Sequence, residues 1–324
     1  MTEEYEWEIA AGARPDGTGL AFDLDHALAS IVSVKTRIPD DAFTAGILGT
    51  ERAGSGVVIR DGIVLTIGYL ITEAEATWIV SGDGAATPAH VVGYDHETGF
   101  GLVQALGPLE APVMEFGDSD RAAVGDRVIV GACGGRPHAL QARIVGKREF
   151  AGSWEYVLDE AIFTAPAHPD WGGAALIGGD GRVIGIGSLF VQHSAESGDD
   201  AEGNMIVPIG LAEPIIDDML RTGRAGRPAR PWLGLYTADS PDQILVVGLA
   251  RAGPSSRAGV RAGDEILEVA GVPILNVASM FRSVWALGVA GVEVPLTLRR
   301  HGERIAITVR SGNRTELFKS PSLH

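Results

Sequence analysis

From about Leu28 to Ile186 the chain is written almost wholly in short β-branched runs broken by glycine, and that grammar admits few folds. IVSVKT, GSGVVIRDGIVLTI, ATWIVSG, AHVVGYD, DRVIVGA, ARIVGK, EYVLDE and AALIGGDGRVIGIGSLF follow one another, with turn signals such as Asp61-Gly62 and Asp180-Gly181 among them. Strands of this length and spacing predict an all-β barrel or sandwich. The first helical period comes late, at Leu211 to Leu220, where Leu211, Ile215, Ile216, Met219 and Leu220 share a stripe and Gly223 marks a stop. Arg221 to Pro231 (RTGRAGRPARP) is basic and rich in Gly and Pro, the composition of an exposed linker. Beyond it Asn276 is placed to cap a helix, and Val277, Met280, Phe281, Val284 and Leu287 keep a 3.6-residue period. That pattern buries one helix face against a small sheet, which predicts a second, smaller α+β domain.

Length agrees with this division, because 324 residues exceed what a single core usually organises. A formal charge of -16, from 26 Lys+Arg against 42 Asp+Glu, repels phosphate backbones and anionic lipid, so nucleic acid is not expected as a partner. No run approaches the roughly 18 apolar residues of a membrane span. The acidic opening MTEEYEWEIAAGARPDG lacks the apolar region of a secretion signal, and the single Cys133 cannot form an internal disulfide. Together these predict a cytoplasmic protein. No cofactor is indicated and no metal site either: His168, Asp170 and His96 do not have the spacing of a zinc signature and read as surface polarity. The acidic runs Glu3 to Glu8 and Glu196 to Glu202 read as solvated surface, and residues 1–24 and 312–324 as poorly ordered ends.

Several segments, in order, resemble the HtrA/Deg family, whose members join a trypsin-like protease to PDZ domains. Gly54-Ser55-Gly56-Val57-Val58-Ile59 followed by Ile63-Val64-Leu65-Thr66 is similar to that family's approach to its catalytic histidine. Gly117-Asp118-Ser119-Asp120 with Val124-Gly125-Asp126 resembles the link into the second barrel, and Asp180 to Ile186 the hairpin after the nucleophile. Pro231-Trp232-Leu233-Gly234-Leu235 resembles the entry to a PDZ domain, and Ala258 to Asp264 its most recognisable segment. The fold implied is mainly β, a chymotrypsin-like double β-barrel followed by a small α+β PDZ domain. The implied boundaries are an extension at 1–24, the barrels at 25–221, a linker at 222–231, the PDZ domain at 232–313 and a tail at 314–324.

The resemblance also locates three catalytic columns, and none holds its usual residue. The histidine motif L-T-x-A-H-V aligns with Leu65 to Leu70 and puts Tyr69 in the base's column; D-x-x-T-D-L-A aligns with Asp95 to Gly101 and puts Gly99 in the aspartate's. N-P-G-N-S-G-G-P-L aligns without gaps to His168 through Leu176, so Gly172 stands where the serine should. Acyl transfer by such a triad needs a nucleophile, a base in reach of it and a group that fixes the base's tautomer. The glycine that helps form the oxyanion hole is Asp170, a carboxylate where negative charge would develop. Tyr69 reads as a space filler for the imidazole. The expectation is therefore a pseudoprotease, not an enzyme. The alternative is a hydrolase with a relocated nucleophile, Cys133 near His138, since the hydroxyls of Thr164 and Ser188 fall on strands away from the apex of the turn, or a hydrolase completed in a hetero-oligomer.

The implied PDZ half retains its chemistry. Glycine in Leu233-Gly234-Leu235 lets backbone amides turn toward a peptide's terminal carboxylate, and Phe281, Val284 and Trp285 would line the pocket for its last side chain. The expected function is a scaffold, adaptor or assembly subunit that captures apolar protein or peptide C-termini. The resemblance further implies a homo-trimer or a hetero-oligomer with another protein, with Tyr5 and Trp7 as contact aromatics.

Overall fold

A computed structural model describes residues 8–192, 202–240 and 243–319. Their contacts divide the chain into two units: residues 1–148 with 160–226 and 320–324, and residues 149–159 with 227–319.

The first unit holds two closed barrels of six antiparallel strands. One barrel is β1 (Ile31–Arg37), β2 (Glu51–Arg60), β3 (Ile63–Ile67), β4 (Ala76–Val80), β5 (Ala86–Tyr94) and β6 (Phe100–Ala105), in the order β1-β2-β3-β6-β5-β4. The other is β7 (Arg127–Gly131), β8 (Ala139–Gly152), β9 (Tyr156–Ala165), β10 (Ala175–Ile177), β11 (Val183–Val191) and β12 (Gly203–Pro208), in the order β10-β11-β12-β9-β8-β7. The β-branched runs explain both: Val32, Val34, Val58, Val64 and Ile79 fill the first, and Val128, Val130, Ile144, Ile162, Leu176 and Ile206 fill the second. Alternate residues of a strand face opposite sides, so each run supplies one inward row. The expected chymotrypsin-like double barrel is thus present.

Three helices accompany the barrels: α1 (Leu24–Ala29), capped by the Asp23 carboxylate, the short α2 (Ala45–Leu48), and α3 (Glu213–Thr222). In α3 the residues Ile215, Ile216 and Met219 are buried as the period predicts, and Gly223, at φ 76°, ends the helix by donating to the Met219 carbonyl. Leu211 departs from the predicted stripe; it lies before the helix and is exposed.

Residues 8–24 are not a loose end. Ile9 is buried and donates its backbone N–H to the Pro137 carbonyl, Gln141 donates to the Arg14 carbonyl, and Arg136 donates to the Asp16 carbonyl while pairing with Asp25. A backbone tied at several points loses the freedom that a terminal segment usually keeps. Tyr5, Trp7 and most of the acidic run at 196–202 lie outside the described residues.

The second unit is a sheet in the order β13-β14-β15-β17-β18, made of β13 (Leu235–Ser240), β14 (Gln243–Leu249), β15 (Glu265–Val269), β17 (Glu293–Arg300) and β18 (Glu303–Arg310), with β16 (Val272–Pro273) paired to β15. The helices are α4 (Pro254–Ala258) and α5 (Val277–Trp285). Asn276 caps α5, accepting from the Ser279 N–H at 2.7 Å while the Ser279 hydroxyl accepts from the Asn276 N–H. The helix buries Val277, Ala278, Met280, Phe281 and Val284 against the sheet, as its period predicts. Asp264, almost wholly buried, is neutralised by a two-pronged pair with Arg300 at 2.7 Å on each oxygen.

This unit also contains what the sequence assigned to the barrel: the tip joining β8 to β9. Val157 is buried in the same apolar cluster as Leu233, Leu235, Phe281 and Val284, and Ala151 packs against that cluster. The physical reason is that the tip is not a polar turn; Phe150, Trp154, Tyr156 and Val157 give it apolar area that must be covered somewhere.

Candidate functional site

The three catalytic columns meet between the two barrels. Gly172 sits in the turn after β9, where its carbonyl accepts from the Ser55 N–H at 2.7 Å. A Cβ built on Gly172 would lie 2.9 Å from the Tyr69 hydroxyl, so base and nucleophile columns face each other. Tyr69 follows Gly68, whose N–H donates to the Gly99 carbonyl at 2.7 Å, which brings in the third column. Position by position the frame of a triad is kept, and its functional groups are a phenol and two glycines.

The phenol is held rather than free: it donates to the Ser188 carbonyl at 2.9 Å. Burial, and then the nearby Asp170 carboxylate, push its pKa above the ordinary range, so it remains protonated. Burial also raises Asp170 itself, against a lowering pull from His138. His168 is not surface polarity. It is fully buried and neutral, its pKa lowered by desolvation; Nε2 lies 3.1 Å from the His138 carbonyl and Nδ1 accepts from the Asp170 N–H at 3.1 Å. The amide expected at the oxyanion position points to an imidazole, and its own side chain is a carboxyl group whose pKa burial raises.

Thr164 lies fully buried on β9 and its hydroxyl has no partner. Ser188 is buried on β11 and receives Tyr69 through its carbonyl. Cys133 is partly buried, donates its N–H to the Ser55 hydroxyl at 3.1 Å, and has its thiol pKa raised by burial and by Asp170. A raised thiol pKa lowers the thiolate fraction that would attack. His96 packs edge-on to Tyr94 at 4.2 Å between ring centroids. Among the described residues no three His, Cys, Asp or Glu side chains gather as a metal-holding group.

The second candidate site lies within the second unit, at the loop before β13. Gly234 is left-handed at φ 72°, which lets three successive N–H groups converge on one point. A carboxylate already stands there. Glu155, buried at the β8–β9 tip, receives Leu233 on both oxygens at 3.2 and 3.0 Å, and Gly234 at 2.6 Å and Leu235 at 3.1 Å on Oε1. Phe281 and Val284 are wholly buried and covered rather than lining an open pocket; Trp285 stacks on Phe281 at 5.9 Å beneath the Arg230 guanidinium. The sequence singled out the three amides and missed Glu155. Its only signals are the aromatic flank of Trp154-Glu155-Tyr156 and the need of any such cradle for an anion.

Residues 54–186 match the model of the trypsin-like peptidase domain. Among curated proteins the chain is 27% identical over 320 residues to a probable periplasmic serine endoprotease DegP-like of Pseudomonas putida (strain W619), covering 94% of this chain and 64% of the relative. It is 26% identical over 297 residues to the serine protease Do-like HtrA of Lactobacillus helveticus, covering 82% and 70%. The chain spans 64%, 60% and 56% of three DegP-like relatives it matches. Solved structures share the fold: the HtrA-type protease AlgW with decapeptide (TM-score 0.54, 20% identity, covering 93% of this chain and 100% of that one) and the serine endoprotease from Yersinia pestis (0.52, 23%, 90% and 98%).

These likenesses correct two expectations. A cytoplasmic address conflicts with relatives named periplasmic endoproteases; an acidic opening and one cysteine are compositional signals that say little about export. The expectation that the chain is not an enzyme conflicts with relatives named as serine endoproteases, since three substituted columns are a statement about one constellation and not about the whole family's chemistry. With its two barrels, its converging columns and these relatives, the chain carries a trypsin-like peptidase domain and is homologous to the DegP/HtrA serine proteases.

Proposed function

We propose that this HtrA-type serine protease homologue captures the free C-termini of proteins or peptides through its second unit, read as a PDZ domain, and serves as an adaptor or assembly subunit by doing so. The observation that carries the reading is the cradle of three N–H groups at Leu233, Gly234 and Leu235 gathered around one carboxylate. Donors so arranged are complementary to a chain-terminal carboxylate, and β13, at the edge of its sheet, offers a template for an added strand. The relatives' names support a periplasmic place of work, and family likeness supports a homo-trimer or hetero-oligomer.

Calorimetry on the full chain tests capture, using a decapeptide that ends in a free valine and its C-terminally amidated twin. The free acid should bind with micromolar affinity, about -8 kcal/mol. Amidation should cost about 1–3 kcal/mol through loss of charge-assisted hydrogen bonds. Equal binding of the two forms would reject the reading.

A second reading, peptide-bond hydrolysis, is favoured by what the relatives are called. In this chain it needs a nucleophile outside positions 69, 99 and 172, from elsewhere in the chain or from a neighbouring subunit. Incubation with casein and a fluorophosphonate probe tests it: saturable labelling of one serine, lost on its change to alanine, would establish hydrolysis.

A further inference from the structure

The carboxylate in the cradle belongs to the protein's own chain, and it does not come alone. Beside it, the Thr237 N–H of β13 donates to the Ser153 carbonyl at 3.1 Å. The tip therefore touches the edge strand by backbone two residues from where its carboxylate enters the loop. An incoming C-terminus would use the same two features, a carboxylate in the loop and a strand along β13. Val157 adds a third, buried in the apolar cluster that includes Leu235 and Phe281.

The tip is also held in place. Arg282 of α5 pairs with Glu149 and Asp159, one at each foot of the hairpin. Arg314 donates to the Trp154 carbonyl at 2.9 Å, and Trp154 stacks on Tyr156 at 5.9 Å. Glu155 itself stands at φ 60°, a left-handed conformation that a non-glycine residue adopts only where its surroundings determine it. All these groups lie in residues 149–159 and 227–319, so the arrangement is internal to the second unit.

We propose that the 149–159 hairpin is a built-in occupant of the C-terminus site, with the Glu155 side chain in the place of a ligand's terminal carboxylate, so that a free protein or peptide C-terminus binds only by displacing it. The inference rests on the capture reading above. Its ligand class is the free α-carboxylate of an extended chain end. Binding is weakened by the fraction of molecules in which the tip is docked, because apparent affinity scales with the population of the open cradle.

The test uses the full chain and a fluorescein-labelled decapeptide ending in a free valine, with the amidated decapeptide as control. Glu155→Ala removes the side-chain oxygens from the cradle and leaves its three N–H groups open. It should bind the free acid at least about tenfold more tightly than the wild type, with no such gain for the amide. Hydrogen exchange on the wild type gives a second reading that no mutation can confuse: saturating peptide should raise exchange at residues 150–156. Equal affinity of wild type and Glu155→Ala for the free acid, or peptide binding that leaves exchange at 150–156 unchanged, would overturn the proposal while leaving capture intact. Failure of both proteins to bind the free acid would overturn capture and the proposal together.

Discussion

A side chain added at position 172 starts 2.9 Å from the Tyr69 hydroxyl, whereas one added at position 173 starts 1.8 Å from the Ser55 carbonyl oxygen. Those two numbers separate adjacent glycines into different physical cases. The phenol is the far end of a side chain and can shift; the carbonyl belongs to a barrel strand and cannot. Gly173 is also left-handed at φ 77°, while Gly172 is not among the left-handed residues. Gly173→Ala should therefore lower stability by about 2 kcal/mol or more, and Gly172→Ala by about 1 kcal/mol or less, read as shifts in denaturant midpoint. Tyr69→Phe should cost about 1 kcal/mol, the value of one partly buried hydrogen bond to Ser188. If Gly172→Ala is the more damaging of the two glycine changes, the crowding at Tyr69 is greater than its geometry implies.

At the scale of elements the hairpin tip and β13 form one device, and it titrates. Burial pushes the Glu155 carboxyl from 4.5 up to about 7, against the pull of the Leu233, Leu235 and Gly234 N–H groups and of Arg314. Arg282, with Glu149 and Asp159, supplies the remaining charges at the hairpin's base. Because the docked pKa is raised, the tip's docking is strongest below about pH 4.5, weakens as pH rises to about 7, and is constant above that. Affinity of the full chain for a free-acid peptide should accordingly rise between those values, by an order of magnitude or more, and stay flat in Glu155→Ala. Fluorescence anisotropy across the range reads it; a flat wild-type profile would contradict the titration. The cradle was legible in Leu233-Gly234-Leu235 because a glycine there has a backbone reason. The occupant was not, because EFAGSWEYVLDE reads equally well as an ordinary hairpin and nothing local marks one of its acids as buried. Phe281 and Val284 were legible as the inward face of a helix, and periodicity alone does not tell a covered position from an open pocket.

For the whole molecule, the alternation of β-branched runs was enough to define two barrels, since each run buries one row and closure leaves no edges. The catalytic columns were legible because a gapless motif frame carries position even when the residues change. What sequence order hid is that the second unit is assembled from residues 149–159 and 227–319. A fragment of 227–319 alone should melt below the same unit in the full chain, by about 2–4 kcal/mol, because it exposes the apolar surface that Val157 covers. Scanning calorimetry of fragment and full chain, with Val157→Ala as an intermediate case, measures this; equal stability would mean the tip only rests on the unit.

That discontinuity sets an order of events while the chain is being made. The hairpin leaves the ribosome about 75 residues before the first strand of the sheet that receives it, on the order of 4–15 s at ordinary elongation rates. Until β13 and α5 exist, Tyr156 and Val157, buried in the finished protein, have no partner surface, and the Glu155 carboxylate is an ordinary solvated anion. The last step of assembly is then the passage of that carboxyl group from water into three amides, a step that becomes easier as the medium grows more acidic because the protonated form loses less hydration.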